Sequence, residues 1–193
     1  MRFTQSLIAL SLILVSLTAH AVNLHVVMKT NLGDITLELY PEKAPKTVEN
    51  FLKYVEDGFY KNTVFHRVIA NFMIQGGGFD SSLKQKPTRS PIENEAGNGL
   101  TNQVGTIAMA RTSDPHSATA QFFINIANNT FLNFTAPNQN GYGYAVFGKV
   151  TGGMEIINKI AGTPTGAGGP FSGDVPKNSI VIEDIVLLPT TTK

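Results

Sequence analysis

A chain of 193 residues is long enough for one domain with a sizeable core and short for two, and 42% hydrophobic against 15% charged residues is an ordinary globular balance. Lys and Arg number 15 against 14 Asp and Glu, so the net charge gives no case for nucleic acid or an anionic membrane as a partner. The lack of cysteine excludes a disulfide framework, thiolate catalysis and a cysteine zinc site, while 18 glycines and 10 prolines favour turns and short strands over a helical bundle.

The chain begins with a segment that stands apart. Arg2 supplies a positive start, residues 7–17 are an almost unbroken apolar run, and Ala19-His20-Ala21 has the small-x-small form of a cleavage site. Residues 1–21 therefore read as a secretory signal peptide, too short and wrongly flanked for a spanning helix, and no cysteine follows to carry a lipid. Its loss removes Arg2 and no acid, which leaves 14 bases against 14 acids in residues 22–193. A neutral, cysteine-free exported domain suits a bacterial periplasm, with no nucleic-acid partner and no membrane contact after cleavage.

Residues 24–30 and 35–40 are β-like runs joined by the turn formers Asn31-Leu32-Gly33-Asp34; Ile35, Leu37 and Leu39 share one face, so a hairpin with one buried side is expected. Residues 45–57 carry Val48, Phe51, Leu52 and Val55 at helical spacing, with Pro45 at the start and Gly58 past the end, which predicts an amphipathic helix over a sheet. Strands are expected at 63–69 and 72–76, a long polar surface loop at 79–100, and further strands at 102–110, 121–126 and 144–150. A second short helix is expected at 153–160, glycine and proline turns at 163–177, and a closing strand at 179–188. There is no internal repeat and no linker, and the pattern suits a sandwich or a closed barrel.

The stretch 65–77, FHRVIANFMIQGG, places one cation among large apolar side chains. Strand alternation sends Phe65, Arg67 and Ile69 to one face and His66 and Val68 to the other. A charge on an apolar face needs a partner, a hydrogen bond or a ligand, so Arg67 marks a candidate site. Phe72, Phe122, Phe123, Phe131, Phe134 and Tyr144 come from separate segments, as do the polar Gln75, Asn102 and Gln121; apolar walls with a few fixed polar groups are the usual form of a ligand pocket. Other chemistries fare worse. Asp114-Pro115-His116-Ser117 holds the residue types of a serine hydrolase as sequence neighbours, without G-x-S-x-G. His25, His66 and His116 form no metal-ligand spacing, and the glycine runs at 76–78 and 166–169 lack the residues of a phosphate loop.

The run 65–77 resembles the signature of cyclophilin-type peptidyl-prolyl isomerases. Residues 44–51 (APKTVENF), 105–110 (GTIAMA), 121–124 (QFFI) and 146–150 (VFGKV) resemble further motifs of that family in the same order, and the likeness spans 26 to about 188. The signal-like start, Phe131 and the segment 143–150 are most similar to its bacterial periplasmic members. The resemblance implies a mainly β fold, an eight-stranded antiparallel closed β-barrel capped by two α-helices, acting as a monomer without cofactor or metal on proline-containing peptides and unfolded exported proteins. It implies a catalytic centre of Arg67, Phe72, Gln75 and Phe123, with Met73, Ala110, Thr112, Gln121, Phe131, Leu132 and Tyr144 binding substrate. Phe131 replaces a common tryptophan, Tyr144 a histidine and Arg111 an asparagine; without the indole N–H, only weak cyclosporin binding is expected. Two other readings remain open from the residues alone: a groove that holds proline-containing segments without accelerating them, and hydrolysis at Ser117.

Overall fold

The computed structural model describes residues 24–189, so the expected signal peptide at 1–21 lies outside the described residues. The domain opens on the hairpin of β1 (Leu24–Thr30) and β2 (Gly33–Leu39), paired in register from Leu24↔Leu39 to Thr30↔Gly33. Ile35, Leu37 and Leu39 are all fully buried, as the alternation required. Helix α1 (Pro45–Glu56) follows and buries Thr47, Val48, Asn50, Phe51 and Tyr54. Its first turn has no local side-chain cap. The carboxylate of Glu95, from the far end of the long loop, takes its place by accepting from the backbone N–H of Lys46 (3.1 Å) and Thr47 (2.8 Å) and from the Thr47 hydroxyl (2.7 Å).

The remaining elements are β3 (Thr63–Val64), β4 (Arg67–Ile69), β5 (Met73–Gly76), β6 (Thr106–Met109), β7 (Phe122–Asn125), β8 (Val146–Gly152), α2 (Met154–Ala161), β9 (Thr165–Gly168), β10 (Phe171–Pro176) and β11 (Val181–Leu187). Nine strands form one antiparallel sheet in the order β3-β11-β1-β2-β8-β6-β7-β5-β4, and β9 and β10 pair apart from it. The two ends of the sheet, β3 and β4, are separated in the chain by only Phe65 and His66. They are two halves of one bent strand, so the nine ladder strands make eight staves around a curled sheet. The ring closes through that bend rather than through an unbroken ladder, and in this approximate form the expected barrel stands.

The bend also corrects one expectation. Phe65 does not share a face with Arg67: it is buried in the barrel core with Val68, while Ile69 belongs to a separate cluster outside. Two residues without ladder pairing let the backbone rotate between β3 and β4, which breaks strict alternation. A second correction concerns 163–177, expected as turns, where β9 and β10 form a hairpin.

Inside the barrel, the ring of Phe51 from α1 meets those of Tyr60 (5.2 Å), Phe122 (5.9 Å) and Phe147 (5.3 Å), so α1 plugs the sheet with aromatic packing. Ile157 and Ile160 of α2 are fully buried in the same cluster. The loop 79–100 is pinned rather than loose: Tyr54 Oη accepts from the Arg89 backbone N–H (2.8 Å), Ile92 bridges to Ala118, and Lys86 Nζ donates to the Phe59 carbonyl.

Candidate active site

The site is built on the outer face of the sheet. Inward residues Val68, Ile74, Ile107, Phe122 and Ile124 fill the barrel, and their neighbours Ile69, Met73, Ala108 and Phe123 point the other way into a small second cluster with Val146. Strand register lines up the outward residues. Arg67 pairs with Gln75, Gln75 with Phe123, Phe123 with Ala108, and Ala108 with Val146, which makes one continuous row across β4, β5, β7, β6 and β8. Side chains directly opposite on one face are in contact range, so this row puts a guanidinium, an amide and a phenyl ring side by side.

Around that row is a cavity of about 190 Å³ lined by Arg67, Phe72, Met73, Gln75, Ala110, Arg111, Phe123, Leu132 and Tyr144. It is smaller than the ~300–1,000 Å³ of pockets that enclose larger ligands, and suits a single ring better than a nucleotide. The Phe123 and Tyr144 rings meet edge to face at 5.6 Å, and Arg111 lies 4.6 Å over Tyr144. Arg111 is further held by donating from Nε to the Gly143 carbonyl (2.9 Å) and from Nη1 to the Thr112 carbonyl (2.8 Å). Gln75 is oriented by Gln121: its Nε2 donates to Gln121 Oε1 at 3.0 Å. That approach depends on Gly78, where a β-carbon would come within 2.3 Å of Gln121 Cγ.

The far wall rests on buried amides. Asn129 Nδ2 donates to the Phe72 carbonyl (2.9 Å) and to Asn125 Oδ1 (2.7 Å); Asn125 Nδ2 donates to Asn102 Oδ1 (3.1 Å); Asn102 Nδ2 donates to the Leu132 carbonyl (3.1 Å). Three asparagines thus tie Phe72 to the segment carrying Leu132 from behind, in a network whose members are each satisfied. Asn102 supports the wall and does not face the cavity, contrary to its grouping with Gln75 in the sequence.

Eight of the eleven residues expected at the site line this cavity: Arg67, Phe72, Met73, Gln75, Ala110, Phe123, Leu132 and Tyr144. The other three lie at its edges. Gln121 reaches it through Gln75; Phe131 is 73% exposed and stacks on Phe72 at 5.6 Å; Thr112 is turned to Ser117, its N–H and hydroxyl 2.9 and 2.8 Å from Ser117 Oγ. Among the grouped aromatics, Phe122 belongs to the barrel core and Phe134 packs on Tyr142. The triad-like segment is an exposed turn: Ser117 Oγ donates to the Asp114 carbonyl and His116 Nδ1 accepts from the Asn94 N–H, so the histidine is not spent on the serine.

Arg67 is half exposed, and its partner is Asp174 of β10, with Nε and Oδ2 3.5 Å apart. No sequence signal marked Asp174, which falls in the glycine-rich stretch read as turns. Beside Arg67, His66 is 2% exposed, packed between Phe79 (4.5 Å) and Phe171 (5.4 Å). Burial drives its pKa from 6.5 to about 4, and the neighbouring Arg67 charge pushes the same way. A neutral histidine is the consequence at pH 7.

Comparison with known proteins agrees with this geometry. The sequence profile described as "Cyclophilin type peptidyl-prolyl cis-trans isomerase/CLD" matches residues 25–187. The chain is 55% identical to peptidyl-prolyl cis-trans isomerase B of Escherichia coli (strain K12) over 162 residues, 84% of this chain and 98% of that one. It is 52% identical to peptidyl-prolyl cis-trans isomerase A of Dickeya dadantii over 164 residues, 85% of this chain and 84% of the relative. Among solved structures, a cyclophilin-type isomerase of Cryptosporidium parvum crystallised in the presence of the dipeptide Ala-Pro is similar at a TM-score of 0.72 and 31% identity, over 86% of this chain and 99% of that one. With its sheet, its outward row and these relatives in agreement, the chain belongs to the cyclophilin-type peptidyl-prolyl cis-trans isomerases.

Proposed function

We propose that this isomerase is exported to a bacterial periplasm and speeds X-Pro rotation in exported proteins as they fold, with Arg67 as the catalytic donor. Rotation about an X-Pro bond crosses a barrier of about 18–20 kcal/mol because it destroys amide resonance. Uncatalysed, it takes tens of seconds or more and can limit folding. In the twisted state the imide nitrogen regains its lone pair and becomes an acceptor. A donor aimed there favours the transition state over the planar ground state, which is the condition for catalysis.

Arginine suits this role because it carries donors only and keeps its charge. Phe72, Met73, Phe123 and Leu132 would grip the pyrrolidine ring and exclude water, which strengthens the contact at the nitrogen. Gln75, held by Gln121, would fix the backbone beside it, while Ala110, Thr112, Phe131 and Tyr144 line the course of the peptide. A roughly 10⁵-fold acceleration needs about 7 kcal/mol at about 1.4 kcal/mol per decade. One charged hydrogen bond contributes about 1.5–3 kcal/mol, so ring binding and backbone alignment supply the rest.

The observation that carries this reading is the outward row Arg67–Gln75–Phe123 at the mouth of a ring-sized cavity. Arg67→Ala is expected to lower kcat/KM for a prolyl tetrapeptide by roughly 10- to 150-fold, the worth of one charged hydrogen bond; an unchanged value would remove Arg67 from the mechanism. Export rests on the sequence of residues 1–21. Expressed with its native start in a Gram-negative host, the protein is expected in the periplasmic fraction, beginning after Ala21; recovery from the cytoplasm with residues 1–21 intact would contradict it. The exposed phenyl ring of Phe131, lacking an indole N–H, supports weak cyclosporin affinity.

A further inference from the structure

The hairpin of β9 and β10 is a separate two-stranded sheet that lies against β4 on the side of the catalytic row. Phe171 anchors it: its ring stacks on His66 at 5.4 Å and meets Phe79 edge to face at 5.1 Å. Between the paired positions Phe171↔Gly168 and Val175↔Gly166 the ladder register shifts. Within that irregularity Asp174 adopts φ +65°, the left-handed region. Aspartate tolerates this conformation better than most residues, yet it remains a cost that a plain turn would avoid with glycine.

What the conformation achieves is the contact with Arg67, Oδ2 standing 3.5 Å from Nε. The two side chains are 46% and 43% exposed, so the pair adds little to the stability of the fold. A strained backbone that delivers a carboxylate of little structural worth to a site residue is the pattern of strain kept for function. The place of contact matters too. The closest approach is at Nε, and among the described residues the Arg67 side chain makes no hydrogen bond to the protein, which leaves the Nη end of the guanidinium for a ligand in the cavity.

We propose that Asp174 is a positioning residue for isomerisation: its carboxylate, carried to the site by the β9–β10 hairpin, holds the Arg67 side chain so that its terminal nitrogens face the substrate imide. This rests on the role given above to Arg67. Unheld, a long side chain half in water samples several rotamers, and only a fraction present the donor correctly; the carboxylate raises that fraction.

The test uses the full domain and four proteins beside the wild type: Asp174→Gly, Asp174→Asn, Arg67→Ala and the double variant Arg67→Ala/Asp174→Gly. Glycine accepts φ +65° freely and removes only the carboxylate; asparagine suits the same backbone and keeps an oxygen in place. Asp174→Gly is expected to lose about three- to fivefold in kcat/KM, chiefly in kcat, in line with one half-exposed charged contact. Asp174→Asn, which keeps the oxygen but not the charge, is expected to recover part of that loss, and Asp174→Gly to change nothing further once Arg67 is alanine. Wild-type turnover in Asp174→Gly, a loss that asparagine does not recover, or an equal loss in the Arg67→Ala background would each overturn the assignment. If Arg67→Ala itself kept the full rate, the reading of the site would fail instead, and the two failures are told apart within one set of assays.

Discussion

Arg67 and His66 are adjacent in sequence and opposite in circumstance, and the difference follows from where the bend in the strand turns each side chain. Arg67 keeps water on one side and Asp174 beside it, so its charge is tolerated without burial. His66 is enclosed by Phe79 and Phe171, its Nδ1 buried and without a hydrogen-bond partner among the described residues, and it stays uncharged because burial holds its pKa near 4. The linkage has a definite sign. Between about 4 and 6.5 the unfolded chain binds a proton at this histidine that the folded chain refuses, so stability is full above 6.5 and is lost as pH falls through that window. The loss at pH 4 is at most about 3 kcal/mol, the order set by the shift. Urea unfolding at pH 7 and pH 4.5 measures it: His66→Gln should narrow the difference between the two midpoints, and an unchanged difference would show that the titration belongs elsewhere. That the arginine of this apolar run borders a cavity was legible from FHRVIANFMIQGG. That Phe65 turns inward was not, because alternation presumes an unbroken ladder and the two residues of the bend have none.

At the level of elements, local pattern served where each segment buries one face. The β1–β2 hairpin and α1 match their expected bounds to within a residue or two, since alternation and helical spacing report burial directly. The β9–β10 hairpin was invisible for the opposite reason. Its sequence is rich in glycine with no apolar alternation, and its pairing is supported from outside, by Phe171 packed on His66 and Phe79. With it went Asp174. The loop at 79–100 was legible as a loop, but its use was not: Glu95 caps α1 across nearly fifty residues of chain, a relation that no local spacing encodes. Glu95→Ala should therefore lower stability by about 1–2 kcal/mol, the usual worth of a helix cap, with the urea m-value unchanged. Because Glu95 touches α1 and not the cavity, kcat/KM should stay at the wild-type value; a fall in activity with stability unchanged would mean that the loop serves the site instead.

In the whole molecule, the two faces of the barrel have separate roles. The interior is filled by Phe51, Phe122, Phe147 and the aliphatic staves, so it holds no ligand and serves to fix strand register. That register then dictates which side chains adjoin outside, and the row from Arg67 to Ala108 is its direct consequence. A cavity face on paired strands is held more rigidly than one on loops, and the asparagine network behind Phe72 and Leu132 extends the rigidity to the far wall. The proposed mechanism asks of such a surface a donor and an apolar notch held in fixed relation, which paired strands supply. Whether this surface turns over the bond or merely holds it is decided by two-dimensional NMR exchange on a prolyl peptide, with cis and trans signals resolved and the enzyme at a small fraction of the peptide. Strong cis–trans exchange peaks are predicted with the wild-type domain, and at least tenfold slower exchange with Arg67→Ala, one charged hydrogen bond being lost. Peptide line broadening without exchange, or equal exchange from both proteins, would contradict catalysis by this arginine.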